Sequence, residues 1–93
     1  MAVRFLLATY LRPFAGQNAS VELPRPPETV GAALESLGRL YPGVRDRVLT
    51  EEGQVRPHVN VFVGEESIRF LNGLSTPLPE ECEISILPAL SGG

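Results

Sequence analysis

The sequence predicts an α+β domain, a mixed sheet of four to five strands with one main helix packed on one face. Three observations lead there. Short segments with period-two alternation or a β-branched and aromatic bias stand near both ends of the chain. The clearest stretch with apolar residues at steps of three and four lies between them. And 93 residues suffice for one hydrophobic core and not for two. The domain is expected to occupy 1–88, followed by a flexible tail over 89–93.

Val3 to Leu11 (VRFLLATYL) has the composition of a strand, and Pro13, Gly16 and Asn18 mark the turn after it. Ser20-Val21-Glu22-Leu23 alternates and stops at Pro24, so the two segments are expected to form a hairpin, with Arg25-Pro26-Pro27 as a stiff connector. From Thr29 the period changes. Val30, Ala33, Leu34, Leu37, Leu40 and Tyr41 share one face of a helix, Thr29 is a good N-cap beneath Glu28, and Pro42-Gly43 ends it.

Val44 to Leu49 is read as a short helical turn and Thr50 to Gln54 as an exposed loop. His58 to Val63 (HVNVFV) alternates as far as Gly64-Glu65, and Ser67 to Phe70 is read as a second short strand closed by Asn72-Gly73. Cys82 to Leu87 (CEISIL) alternates again, with Ile84 and Ile86 on one face and Leu87 on the other. The order is ββ, α, ββ and a last strand. A first strand lying beside the last is parallel to it, and the long chain between them permits the crossover. This is the arrangement of a β-grasp, or ubiquitin-like, domain.

Composition excludes several functions. The net charge is −3, and the eight cations are scattered, so no basic stripe exists to neutralise phosphates and no nucleic-acid partner is expected. Cys82 has no second Cys to pair with, and a single His provides no zinc cluster, so no metal site is expected. The apolar run Phe5 to Leu11 is too short to span a bilayer and Arg12-Pro13 interrupts it, so no membrane partner and a cytoplasmic location are expected.

Catalytic chemistry is thin. Glycine-rich motifs with phosphate-binding spacing are absent. His58 is the only neutral-pH base, at a strand start beside Pro57 with no nucleophile placed next to it. Cys82 lies between Glu81 and Glu83, whose charge is expected to raise its thiol pKa and make it passive. The acidic pairs Glu51-Glu52, Glu65-Glu66 and Glu80-Glu81 fall at turns and read as solvated, with a docking role open for Glu65 and Glu66.

What remains is the ending Ala89-Leu90-Ser91-Gly92-Gly93. Five extended residues reach roughly 16–18 Å, enough to thread a channel in another protein. Glycine lacks a Cβ, so a Gly-Gly end enters a narrow slot and leaves its terminal carbonyl unhindered. A Gly-Gly end is common where chains fray; directly after the last strand of a β-grasp pattern it reads as a reactive handle.

Arg4 to Leu11, Val59-Asn60-Val61-Phe62-Val63 and Ile84 to Gly93 resemble the ThiS/MoaD family of ubiquitin-like sulfur carriers. Leu11-Arg12-Pro13, His58 to Val63, Ile68-Arg69-Phe70 and Gly73-Leu74-Ser75-Thr76 resemble its CysO-type branch. The resemblance covers essentially the whole chain. It implies a protein co-substrate rather than an enzyme, with no bound cofactor. On this resemblance Gly93 is expected to be adenylated by an E1-like, MoeB-type enzyme that uses ATP, and then thiocarboxylated. A downstream enzyme is expected to accept the sulfur, as a cysteine synthase does in the CysO-type branch. Two other readings stay open: a ubiquitin-like modifier joined to lysines of targets, and the small subunit of a molybdopterin synthase.

A carrier needs a surface for its partners. Phe5-Leu6-Leu7 is apolar at three successive positions, more than a strand with one solvated face requires. The helix covers one face only, and the candidates for a docking patch are Leu87, Phe62, Leu7 and Phe5, unless loops fold over them and make them core. Every cation is Arg and none is Lys. A lysine-free carrier cannot join its activated end to itself; an Arg-favouring genome composition accounts for the same fact and is the preferred reading.

Overall fold

The computed structural model describes residues 3–23 and 27–88. Five strands, β1 (Val3–Leu7), β2 (Ser20–Leu23), β3 (Val59–Val63), β4 (Glu66–Ser67) and β5 (Cys82–Pro88), form one sheet in the order β2-β1-β5-β3-β4. β1 pairs antiparallel with β2 and parallel with β5, and β3 runs antiparallel to both β5 and β4. The expected parallel pairing of first and last strands is present at the centre of the sheet, and the architecture is that of a β-grasp domain.

The helix α1 (Val30–Leu40) starts where its cap predicts. Thr29 is extended, and its Oγ1 accepts a hydrogen bond from the Ala32 amide at 3.2 Å. Val30, Ala33, Leu34 and Leu37 are buried against the sheet. Leu40, expected on the same face, is 56% exposed, because it lies at the margin of the stripe where the helix ends. Pro42 then opens a second helix, α2 (Pro42–Val48), with its ring at a first-turn position that needs no amide donor. α2 lies so close to α1 that a Cβ on Gly38 would stand 2.9 Å from the Arg45 Cβ, so glycine is what lets the two helices meet.

Two strands are shorter than the sequence suggests. β1 ends at Leu7, and Thr9–Ala15 forms a 3-10 helix instead of continuing the strand. The Arg12 Nε donates to the Leu7 carbonyl at 3.2 Å, folding the chain back so that Leu11 and Ala15 enter the core, and Gly16 closes the turn at φ +62°. Likewise β4 has two residues, and Ile68–Phe70 turns into a 3-10 helix. Ser67 Oγ accepts from the Arg69 amide at 3.3 Å, a local hydrogen bond that competes with the sheet ladder. Beyond that point the Arg69 side chain reaches back to β3, Nη2 donating to the carbonyls of Val59 and Pro57 at 3.0 and 3.2 Å.

The core is one cluster between the helices and one face of the sheet, filled by Phe5, Leu7, Val59, Val61, Ile84 and Ile86 from the strands and the buried stripe of α1. Among the described residues no helix is long and apolar enough to cross a membrane, and no three His, Cys, Asp or Glu side chains are grouped to hold a metal ion.

Candidate functional site: the outer face of the sheet

Side chains alternate across a strand, so the residues between the core positions form the second face of the sheet. Register aligns them in rows. Leu6, Ser85 and Phe62 stand side by side across β1, β5 and β3, and Leu87 lies opposite Asn60 in the next row. Leu6 and Phe62 are half-buried and Leu87 is 41% exposed, which makes an apolar surface interleaved with small polar groups. At the other end of β1, Arg4 stands between Glu22 and Glu83, and its Nη1 is 3.7 Å from the Glu83 carboxylate. With both partners half exposed, that pair adds charge pattern rather than stability.

Two of the expected docking residues are elsewhere. Phe5 and Leu7 are 0% and 2% exposed and point into the core. Their neighbour Leu6 takes the outward position. The signal that separates them is Arg4: a charge beside the first strand's apolar run must face water, and Leu6 shares its parity. Leu87 and Phe62 lie on the outer face, where Ile84, Ile86 and Asn60 set the alternation.

The patch adjoins the end of β5, whose last residues are Leu87 and Pro88. The tail residues Ala89, Leu90, Ser91, Gly92 and Gly93 lie outside the described residues. The groups considered for catalysis are not brought together. His58 is exposed in the turn before β3. Cys82 opens β5 half-buried, and burial, rather than the charge of Glu81 and Glu83, pushes its thiol pKa up. Glu65 and Glu66 are exposed at the β3–β4 turn, as are Glu51, Glu52, Glu80 and Glu81 in theirs.

A β-grasp scaffold with an outward apolar strip along its last strand is what the geometry presents, and residues 5–93 match the model of the ThiS family. The chain belongs to the ThiS family. Membership gives it the function of a sulfur carrier protein. It is 34% identical to the sulfur carrier protein CysO of Mycobacterium tuberculosis over the full length of both chains. It is 38% identical to small archaeal modifier protein 3 of Haloferax volcanii across 70% of each chain. The crystal structure of the Amycolatopsis orientalis BexX/CysO complex contains a chain that superposes with a TM-score of 0.86 at 30% identity, covering 99% of this chain and all of the other.

Proposed function

We propose that this ThiS-family chain carries sulfur on the carboxyl group of Gly93 and docks on its partners through Leu6, Phe62 and Leu87. The supporting observation is the apolar strip beside the strand that leads into the Gly-Gly tail. A carboxylate is a poor electrophile. An E1-like enzyme in the cytoplasm transfers AMP from ATP to it, releasing pyrophosphate and leaving a mixed anhydride. The terminal sulfur of a persulfide attacks the Gly93 carbonyl carbon and AMP departs. A thiol then reduces the S–S bond of the acyl disulfide, and the carrier leaves as a thiocarboxylate, a good sulfur nucleophile. The chain supplies no catalytic group and binds no cofactor; ATP belongs to the activating enzyme. A cysteine-synthase type of acceptor accords with the full-length likeness to CysO.

The likeness to an archaeal modifier protein supports a second reading, in which the activated Gly93 acylates lysine amines of other proteins. Mass spectrometry separates the two. After incubation with activating enzyme, ATP and a sulfur source, one oxygen at the terminus is replaced by sulfur, whereas Gly-Gly remnants on foreign lysines mark a modifier. A chain that stays a plain carboxylate under these conditions, with adenylate formation demonstrated, defeats the carrier mechanism. Removing Gly93 ends sulfur transfer and leaves the melting temperature unchanged, because a terminal residue contributes few contacts to a fold.

A further inference from the structure

On the helix side of β3, opposite the Leu6–Phe62–Leu87 face, the structure holds an opening that is separate from the docking surface proposed above. It is a cleft of about 350 Å³, at the small end of the range of ligand cavities, about 300–1,000 Å³. The core-facing residues Val59 and Val61 lie at its base, and Val55, Pro57, Ile68 and Leu74 add apolar walls. The polar side chains in its lining are Gln54 and Arg69. Such a volume suits one bulky side chain rather than a cofactor.

Arg69 defines what accompanies that side chain. Its Nη2 is committed to the carbonyls of Pro57 and Val59, which fixes the plane of the guanidinium at the cleft. Among the described residues Nε and Nη1 have no hydrogen-bond partner, so three N–H donors remain; both paired edges of the guanidinium use Nη2, so a carboxylate is met here by the positive charge and one charge-assisted hydrogen bond, from Nη1 or Nε, rather than by a fork. The next two residues, Phe70 and Leu71, are 86% and 39% exposed. They sit on a turn held rigid by the Ser67 cap and by the Asn72 amide, which donates to the Oγ1 of buried Thr76 at 3.0 Å. An apolar cleft, a pre-oriented cation and a rigid displayed aromatic together describe an anchor site for protein.

We infer that this cleft receives a segment of a partner protein that inserts one bulky apolar side chain and sets an adjacent carboxylate on Arg69, covering Phe70. Because Val61 and Phe62 point to opposite sides of the sheet, this partner and one on the outer face can be held at the same time. The inference does not rest on the chemistry at Gly93.

The test uses the full chain, isotopically labelled, titrated by NMR with N-acetyl-phenylalanine and with N-acetyl-phenylalaninamide, which lacks the charge. Saturable shifts are expected at Val55, Arg69, Phe70, Gly73 and Leu74 for both probes. The acid is expected to bind about fivefold more tightly, a charge-assisted hydrogen bond discounted for exposure. Arg69→Gln brings the acid down to the amide, and Gln54→Trp, which fills the mouth from a loop, removes both. Equal binding of acid and amide to the unaltered chain overturns the inference, with no dependence on whether a variant folds. So do shifts centred on Leu6, Phe62 and Leu87, or no saturation for either probe by about 20 mM, weaker than any useful anchor. Thiocarboxylate formation by Gln54→Trp is expected to be normal, which keeps this result separate from the fate of the carrier reading.

Discussion

The two faces of the sheet are built from the same strands, residue by residue in alternation, yet they follow opposite rules. On the inner face Phe5, Leu7, Ile84, Ile86, Val59 and Val61 are removed from water and packed beneath α1. On the outer face Leu6, Phe62 and Leu87 are left partly in water among Ser85, Asn60 and the Glu22–Arg4–Glu83 row. A single step along β1 therefore separates a residue buried in the core from one on the proposed docking surface. Hydrophobicity does not distinguish them, since Phe5, Leu6 and Leu7 are all apolar; parity does.

The largest effect that tests this contrast is on the inner side. Phe5→Ala is expected to destabilise the domain by about 3–5 kcal/mol, through lost burial plus an unfilled cavity, and to lower Tm by more than about 10 °C. Leu6→Ala, one position along, is expected to lower it far less. Thermal unfolding of the two variants side by side is the measurement; similar falls would mean that both faces are core.

Next comes the complementary change on the outer side. Leu87→Glu adds a charge to a position already 41% exposed, so the fold tolerates it, whereas an apolar docking surface does not. Activation by the E1-like enzyme, read as kcat/KM for adenylation, is expected to fall about 100-fold, the effect of losing an interface anchor worth about 2–3 kcal/mol. Tm is expected to move by no more than about 4 °C. A variant that unfolds would place Leu87 in the core, and one that is activated normally would remove it from the interface.

Much of this contrast is legible in the sequence itself. The alternation in CEISIL and HVNVFV put Ile84, Ile86, Val59 and Val61 on one side and Leu87 and Phe62 on the other, and Thr29 and Pro42 marked both ends of the main helix. What was not legible has physical causes. An unbroken apolar run hides parity, so composition alone offers Phe5 and Leu7 to the docking surface, although Arg4 carries the information that excludes them. The extension of the first strand to Leu11 failed because Arg12 bonds back to the Leu7 carbonyl, a contact that no propensity encodes. The same holds for Ile68-Arg69-Phe70, which has a strand composition but is turned aside by the Ser67 side chain. The cleft at Arg69 follows from that turn, so it had no signal in the pattern at all.

The smallest expected effect supplies a control on a surface that belongs to neither face. Glu35 on α1 accepts hydrogen bonds from Arg45 on α2, at 2.9 Å from Nη2 and 3.3 Å from Nε. That hydrogen bond, supported by the guanidinium charge, holds its carboxyl below the ordinary 4.5. A carboxyl depressed in the folded state stabilises the fold where it is ionised in both states, above its ordinary value, and the contribution is lost as pH falls through the lower folded value. Glu35→Gln should therefore lower Tm slightly near neutrality, with the difference from the unaltered chain closing as the pH drops below about 4. The effect is small because the pair is open to solvent and screened by salt, so added salt should shrink it further. A difference that widened in acid would mean that Glu35 is strained rather than stabilised where it stands. And since Glu35 lies on the helix layer, away from the outer face, the same variant should be activated at the normal rate; slowed activation would show that partners read the helices as well as the sheet.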